Sequence, residues 1–268
     1  MRSEPFVSIE GVSKSYRSQA GAIAAVDAVS VEFGCGDFVS LLGPSGCGKT
    51  TLMLMLAGLL GRDTGAIRIE GRPVDQPYTN VGIVFQDALL LDWRNVLDNL
   101  MLQAEIRGLD RAALRTRALA LLHMVGLAGF ERRHPWELSG GMRQRVSICR
   151  ALVHDPLLLL MDEPFGALDA LTREQMNLDL QEIWLARRKT VLFITHSIGE
   201  AVFLADRVLV MSPRPGRIAA DIAVDLPRPR HPSLRETAEF GSYTRRIRSL
   251  FEDWGILRER SATSLGTA

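Results

Sequence analysis

The stretch from Phe38 to Thr50 constrains this chain more than any other. A short apolar run, Phe38–Leu42, stops abruptly at Gly43-Pro44-Ser45-Gly46-Cys47-Gly48-Lys49-Thr50, and a helical pattern continues from Gly48 to Leu59. The order is strand, glycine loop, helix. The loop fits G-x-x-x-x-G-K-[ST] at every fixed position, and the fit has a physical meaning. Glycines let the backbone turn its N–H groups inward around a phosphate. The helix that follows adds the positive end of its dipole. Lys49 is placed to reach the β- and γ-phosphates, and the Thr50 hydroxyl to join the shell of a Mg²⁺ ion. Cys47 reads as a small filler inside the loop. Gly43, Pro44, Ser45, Gly46, Cys47, Gly48, Lys49, Thr50 and Thr51 are therefore expected to bind ATP. Lys14, Lys49 and Lys189 are the three lysines among 32 basic residues; the rest are arginine. A compact ammonium suits a tight phosphate cradle better than a planar guanidinium does.

Two further segments extend this chemistry. Leu157–Met161 is a second apolar run, of the kind buried on both faces of a parallel sheet, and it ends in Asp162-Glu163-Pro164. A carboxylate at the C-terminal edge of such a strand sits where open α/β sheets bind ligands. Asp162 is expected to hold Mg²⁺, and Glu163 to polarise a water for attack on the γ-phosphate. Upstream, Leu138-Ser139-Gly140-Gly141-Met142-Arg143-Gln144-Arg145 opens a helix with two glycines. This makes a second anion cradle, with Ser139 as an added donor. One ATP already has its phosphates held by the first loop, so the second cradle makes sense if it serves the ATP of another subunit.

Organisation along the chain is α/β. Phe6–Val12, Ala28–Phe33 and Ala66–Ile69 alternate like strands, and Val191–Ile194 and Val208–Met211 are short apolar runs. Strands separated by helical patterns predict a parallel sheet with crossover helices. Between Asn95 and Asp155 the strand signal vanishes, and Arg111–Val125 and Gly141–Val153 read as helices inserted between two halves of the sheet. Beyond Met211, five of the twelve prolines fall between Pro213 and Pro232, predicting turns and an extended connector before a last helix at Tyr243–Leu257. From Ser212 onward there are 10 arginines against 7 acidic residues, which reads as a solvated surface.

Taken together, these segments resemble an ATP-binding cassette (ABC) ATPase subunit, over about Val7 to Ile218 and in the family's motif order. Leu138–Arg145 is similar to the family signature. The resemblance implies a P-loop NTPase with a RecA-like parallel sheet core, an N-terminal antiparallel β lobe and an inserted helical subdomain. It divides the chain into a nucleotide-binding core with β lobe (1–94 and 155–225), a signature subdomain (95–154) and a short tail (226–268). It implies that Tyr16 stacks on adenine. Gln86 matches the glutamine that reports Mg²⁺ and nucleotide to the helical subdomain, Asp169 in Ala167-Leu168-Asp169 the loop crossing the dimer interface, and His196 the histidine that contacts the γ-phosphate. Two copies would meet head to tail, each ATP sandwiched between one Lys49 loop and the other copy's Ser139, Gly140, Gly141 and Asp169. Hydrolysis would open the pair.

Within the family, Asp87–Leu100 and Met211–Ile218 resemble importers for nitrate, sulfonate, taurine and related compounds. Asp92 stands where that group often has proline, and Ser197 and Gly199 where it usually has acids. The resemblance implies a transmembrane permease as partner, received at Leu89–Trp93, a periplasmic or lipoprotein substrate-binding protein acting indirectly, and a position on the cytoplasmic face of the bacterial inner membrane. No apolar stretch reaches the ~18–20 residues of a spanning helix, and Met1–Glu10 lacks the core of a signal peptide. Three widely spaced cysteines make no disulfide framework. A net charge of +1 offers no basic stripe for nucleic acid, which argues against the competing reading of a soluble ABC ATPase in DNA repair or translation. The tail is too short for a full regulatory domain.

Overall fold

A computed structural model describes residues 4–18 and 21–256 of the chain. In chain order its strands are β1 (Val7–Ser18), β2 (Gly21–Phe33), β3 (Phe38–Leu42), β4 (Thr64–Ile69), β5 (Arg72–Pro73), β6 (Val81–Val84), β7 (Leu158–Asp162), β8 (Thr190–Thr195), β9 (Arg207–Met211) and β10 (Ile218–Ala223). The α-helices are α1 (Lys49–Leu56), α2 (Val96–Arg107), α3 (Arg111–Met124), α4 (Gly140–Leu152), α5 (Ala170–Arg187), α6 (Ile198–Leu204) and α7 (Ala238–Asp253).

The strands form two sheets. One is antiparallel, in the order β2-β1-β4-β5; the other runs β10-β9-β3-β8-β7-β6, parallel except for β10. The central strands of the second sheet are buried and mostly apolar because both faces are covered; Ser40, Thr190 and Thr195 are the buried polar exceptions in β3 and β8. Phe38 and Leu42 of β3 point into a core shared with α2 to α7, whereas Val39 and Leu41 point into a core shared with α1 and the antiparallel sheet. In β7, Leu159 and Met161 join the first core, Leu158 and Leu160 the second. This period-2 division is what a strand buried on both faces requires.

Register makes one edge of this sheet chemically rich. Leu42 lies opposite Thr195, Asp162 opposite Ile194, and Met161 opposite Val84. The parallel strands β3, β8, β7 and β6 thus finish side by side, and the residues that follow each of them share one C-terminal edge.

Three expectations need correction. The extended connector between Pro213 and Pro232 contains β10, an edge strand antiparallel to β9, with alternating exposure that a proline-rich context conceals. The last helix starts earlier, at Ala238, capped by Thr237; Leu257, where the sequence placed its end, lies outside the described residues. The arginine-rich tail is not uniformly solvated. The Arg230 side chain is buried and donates to the carbonyls of Val202, Phe203, Ala205, Val224 and Leu226. Burial pulls its guanidinium pKa down to about 10.

Candidate functional site

A cleft of about 460 Å³ opens at the C-terminal edge of the mixed sheet, lined by Tyr16, Lys49, Thr50, Gln86, Asp162 and Glu163 among others. Its floor is the glycine loop. Gly48, the N-cap of α1, has φ +104°, in the left-handed region that suits glycine, and a Cβ there would lie 2.6 Å from the Ala25 carbonyl. The helix starts one residue later than its sequence pattern and ends at Leu56, before Gly58. Cys47 is buried, and burial raises its thiol pKa, so it fills space as expected.

Lys49 is 5% exposed. Its ammonium donates to the carbonyls of Gly43 (2.9 Å) and Pro44 (3.0 Å), and lies 3.8 Å from Glu163 Oε1. Gly43, Pro44 and Cys47 lie behind the cleft surface, and the first two act by holding this ammonium. The Thr50 hydroxyl donates to Asp162 Oδ2 at 2.7 Å. Burial, the largest influence on Asp162, pushes its carboxyl above the usual range, reinforced by the neighbouring Glu163 charge. A hydroxyl and a desolvated carboxylate side by side form the hard-oxygen set that suits Mg²⁺.

Glu163 follows β7 directly and adopts φ +46°, a conformation that costs a non-glycine residue roughly 1–3 kcal/mol. Its N–H donates to the Ile194 carbonyl of β8 at 2.9 Å, and its own carbonyl accepts from Gly166 N. These bonds hold the turn and aim the side chain along the sheet edge. Glu163 Oε2 lies 3.1 Å from His196 Nδ1, which brings together two residues 33 positions apart. Tyr16, 43% exposed, presents its hydroxyl 3.3 Å from Thr51 Oγ1 at the other side of the cleft.

Ser139, Gly140, Gly141 and Asp169 do not line this cleft. Ser139 caps α4, accepting from Met142 N, and Asp169 caps α5, accepting from Thr172 N. The Thr172 side chain and amide hold the Asp169 carboxyl below its usual range. A Cβ on Gly141 would come within 2.7 Å of Thr172 Cγ2, so the two caps are packed together, glycine being needed for the approach. Helix α4 is in turn tied to the Gln86 segment: Gln144 Nε2 donates to the Phe85 carbonyl, and Arg150 to those of Ala88 and Leu89.

Three cleft residues escaped the sequence reading: Ile23 and Ala25 of β2, and Arg214. Arg214 reaches across 168 positions of chain to donate twice to the Gly46 carbonyl, at 2.9 and 3.1 Å. It stands inside Met211–Ile218, a stretch that stood out in the sequence without a role. Among the described residues no helix is long and apolar enough to cross a membrane, and no cluster of His, Cys, Asp and Glu could hold a metal by itself.

Comparison with known proteins agrees with this geometry. Residues 26–166 match the family described as ABC transporter. An uncharacterized ABC transporter ATP-binding protein of Methanocaldococcus jannaschii is 42% identical over 91% of this chain and 91% of its own length. The taurine import ATP-binding protein TauB of Burkholderia pseudomallei is 49% identical over 81% of this chain and 84% of its own, and TauB of Rhizobium johnstonii is 52% identical over 77% and 79%. Among solved structures, a dimeric bacterial ABC transporter cassette superposes with TM-score 0.72 at 29% identity, covering 82% of this chain and 99% of that one. A dimeric post-hydrolysis state of an ATP-binding cassette holding ADP and phosphate superposes with TM-score 0.71 at 30% identity, over the same shares.

Proposed function

This chain belongs to the ABC transporter family and is an ATPase, and on that premise we propose that it energises an importer for small anions or organosulfur compounds (nitrate, sulfonate, taurine or similar) through ATP-driven closure of a dimer. The observation that carries the reading is the grouping of Lys49, Thr50, Asp162, Glu163 and His196 at one sheet edge. Lys49 binds the β- and γ-phosphates, and the adenine lies against Tyr16. Glu163 takes a proton from the attacking water, and His196 orients Glu163 and meets the γ-phosphate. Thr50, Asp162 and Gln86 would hold Mg²⁺, which supplies charge neutralisation to the phosphate oxygens.

Ser139, Gly140, Gly141 and Asp169 serve the nucleotide of a second copy. Their place on one packed surface, outside the cleft of their own chain, supports this division of labour. The dimeric state of the similar cassettes supports it too. Leu89 and Trp93, 58% and 75% exposed, are offered to a permease helix, and through that permease the chain sits at the cytoplasmic face of the membrane, coupled indirectly to a substrate-binding protein. Residues 95–154 act as the signature subdomain against a core of 1–94 and 155–225, with 226–268 as the tail. The taurine-import relatives are what favour an organosulfur substrate.

The test is reconstitution of the chain with its permease and binding protein in liposomes. ATPase activity should rise when the binding protein is loaded with taurine or another sulfonate. Equal activity with loaded and empty binding protein would remove the importer reading.

A further inference from the structure

The tail packs against α6, the helix that begins two residues after His196. Arg235 lies in the turn Pro232–Glu236 that leads into α7. Its guanidinium rests on α6, 4.7 Å from the centre of the Phe203 ring, and Nη1 lies 3.4 Å from where a Cβ on Gly199 would be. Residues 199 and 203 are one helical turn apart, so Arg235 covers a single face of α6. Its Nε and Nη2 are buried without a hydrogen-bond partner. A buried guanidinium left in this state is compensated by the Phe203 ring beneath it and by the field of nearby carboxylates. Those acting on it belong to Glu174 and Glu200.

Glu200 is the informative one. It is 5% exposed and joins two segments of the site. Oε2 accepts from the Thr195 hydroxyl at 2.6 Å, and that oxygen accepts from Ser197 N at 3.0 Å, so Glu200 grips both neighbours of His196. Oε1 lies 3.6 Å from Arg173 Nε. Arg173 donates to the carbonyls of Phe165 and Leu168, in the turn that runs from Glu163 to Asp169. A continuous polar chain thus links the Glu163 turn to the His196 turn, with the Glu200 carboxylate at its middle. Residues 197 and 199 of the same helix are Ser and Gly. With no acid there, Arg235 acts on Glu200 without a competing carboxylate on that turn.

We propose that Arg235 is a positioning residue for the Glu163–His196 pair, acting through the buried carboxylate of Glu200. This rests on the reading of Glu163 and His196 as the hydrolytic groups. The charged and titratable groups facing Glu200 are Arg173 of α5, His196 and Arg235 of the tail, together with the Thr195 hydroxyl; burial raises its pKa and all of them oppose that rise. Removing Arg235 raises it further, so Glu200 takes up a proton at a higher pH and lets go of the Thr195 and Arg173 contacts as they now stand.

The test is steady-state ATPase of the full chain across pH, comparing wild type with Arg235→Met, Arg235→Lys and Glu200→Gln. In Arg235→Met, kcat near neutral pH should fall about fivefold, the size of one weak charge interaction, while KM for ATP stays within about twofold. The acid limb of its kcat profile should move to higher pH, and Arg235→Lys should restore both. Glu200→Gln should lower kcat and make the Arg235 substitution silent in the double variant. Wild-type kcat and an unmoved acid limb in Arg235→Met would overturn the proposal. So would failure of Arg235→Lys to rescue a folded protein, which would make Arg235 a packing residue. A wild-type chain without ATPase activity would instead count against the functional reading on which the proposal rests.

Discussion

Glu163 and His196 meet at 3.1 Å because Glu163 N is bonded to Ile194, two residues before the histidine. The backbone bond fixes the spacing that the side chains then use. Glu163→Gln keeps the shape of this contact and removes the carboxylate we propose as the base. We expect kcat for ATP hydrolysis to fall by roughly 10²-fold or more, with ATP affinity within about threefold of wild type. ATP hydrolysis by this variant at the wild-type rate would assign the base to another group; single-turnover assays and equilibrium nucleotide binding read the two quantities.

Arg214 holds the phosphate loop from outside by its paired bonds to the Gly46 carbonyl. Arg214→Ala should loosen the loop rather than remove chemistry. A loss of roughly 1 kcal/mol from a charge-assisted bond at a partly exposed site corresponds to a KM for ATP raised about fivefold. The kcat should change by less than KM, and the urea midpoint should hardly move.

Arg230→Met keeps the length of the side chain and abandons five buried carbonyls. The Arg230 amide also donates to Gln181 Oε1, and Gln181 Nε2 to the Arg230 carbonyl, so the segment stays anchored at its backbone. Unsatisfied buried acceptors should still cost about 3 kcal/mol. Equilibrium urea unfolding measures this; a loss below about 0.5 kcal/mol would mean that water reaches those carbonyls.

His154 has its pKa lowered to about 4, first by burial and then by Arg107. The unfolded chain, with an ordinary value near 6.5, takes up the proton first. Stability is therefore complete above about pH 6.5 and is lost as pH falls toward 4. Allowing for partial exposure, the loss should be about 2 kcal/mol across that window. In His154→Gln the difference in unfolding free energy between pH 7 and pH 5 should be smaller than in wild type.

The parts that were legible in the sequence share a physical cause. Phe38–Leu42 and Leu157–Met161 stand out because strands covered on both faces are filled almost entirely by apolar residues, Ser40 being the one polar residue in them, and the phosphate loop stands out because its chemistry is carried by adjacent residues. Strand β10 escaped because it is an edge, with Ile222 as its one fully buried residue and polar or small residues around it. The burial of Arg230 escaped because three of the five carbonyls that make its pocket come from α6 and its end, 25 to 28 residues away, and no local pattern encodes them. Arg214 escaped for the same reason, being defined by a partner 168 residues away.

The bonds from α4 to the segment after β6 have a mechanical consequence. Gln144 and Arg150 grip Phe85, Ala88 and Leu89 at two points on the helix about 9 Å apart. A rod clamped twice cannot swivel about either clamp. We expect a displacement of the segment that carries Gln86 to pass along the rod to its N-terminal tip, Ser139 with the two glycines, which would move against the α5 cap at Thr172. The same clamps bind Leu89, on the exposed rim, to that movement. The contacts at the two ends of this lever set its throw, so lengthening or shortening α4 by one turn should change how far the tip moves for the same event at Gln86.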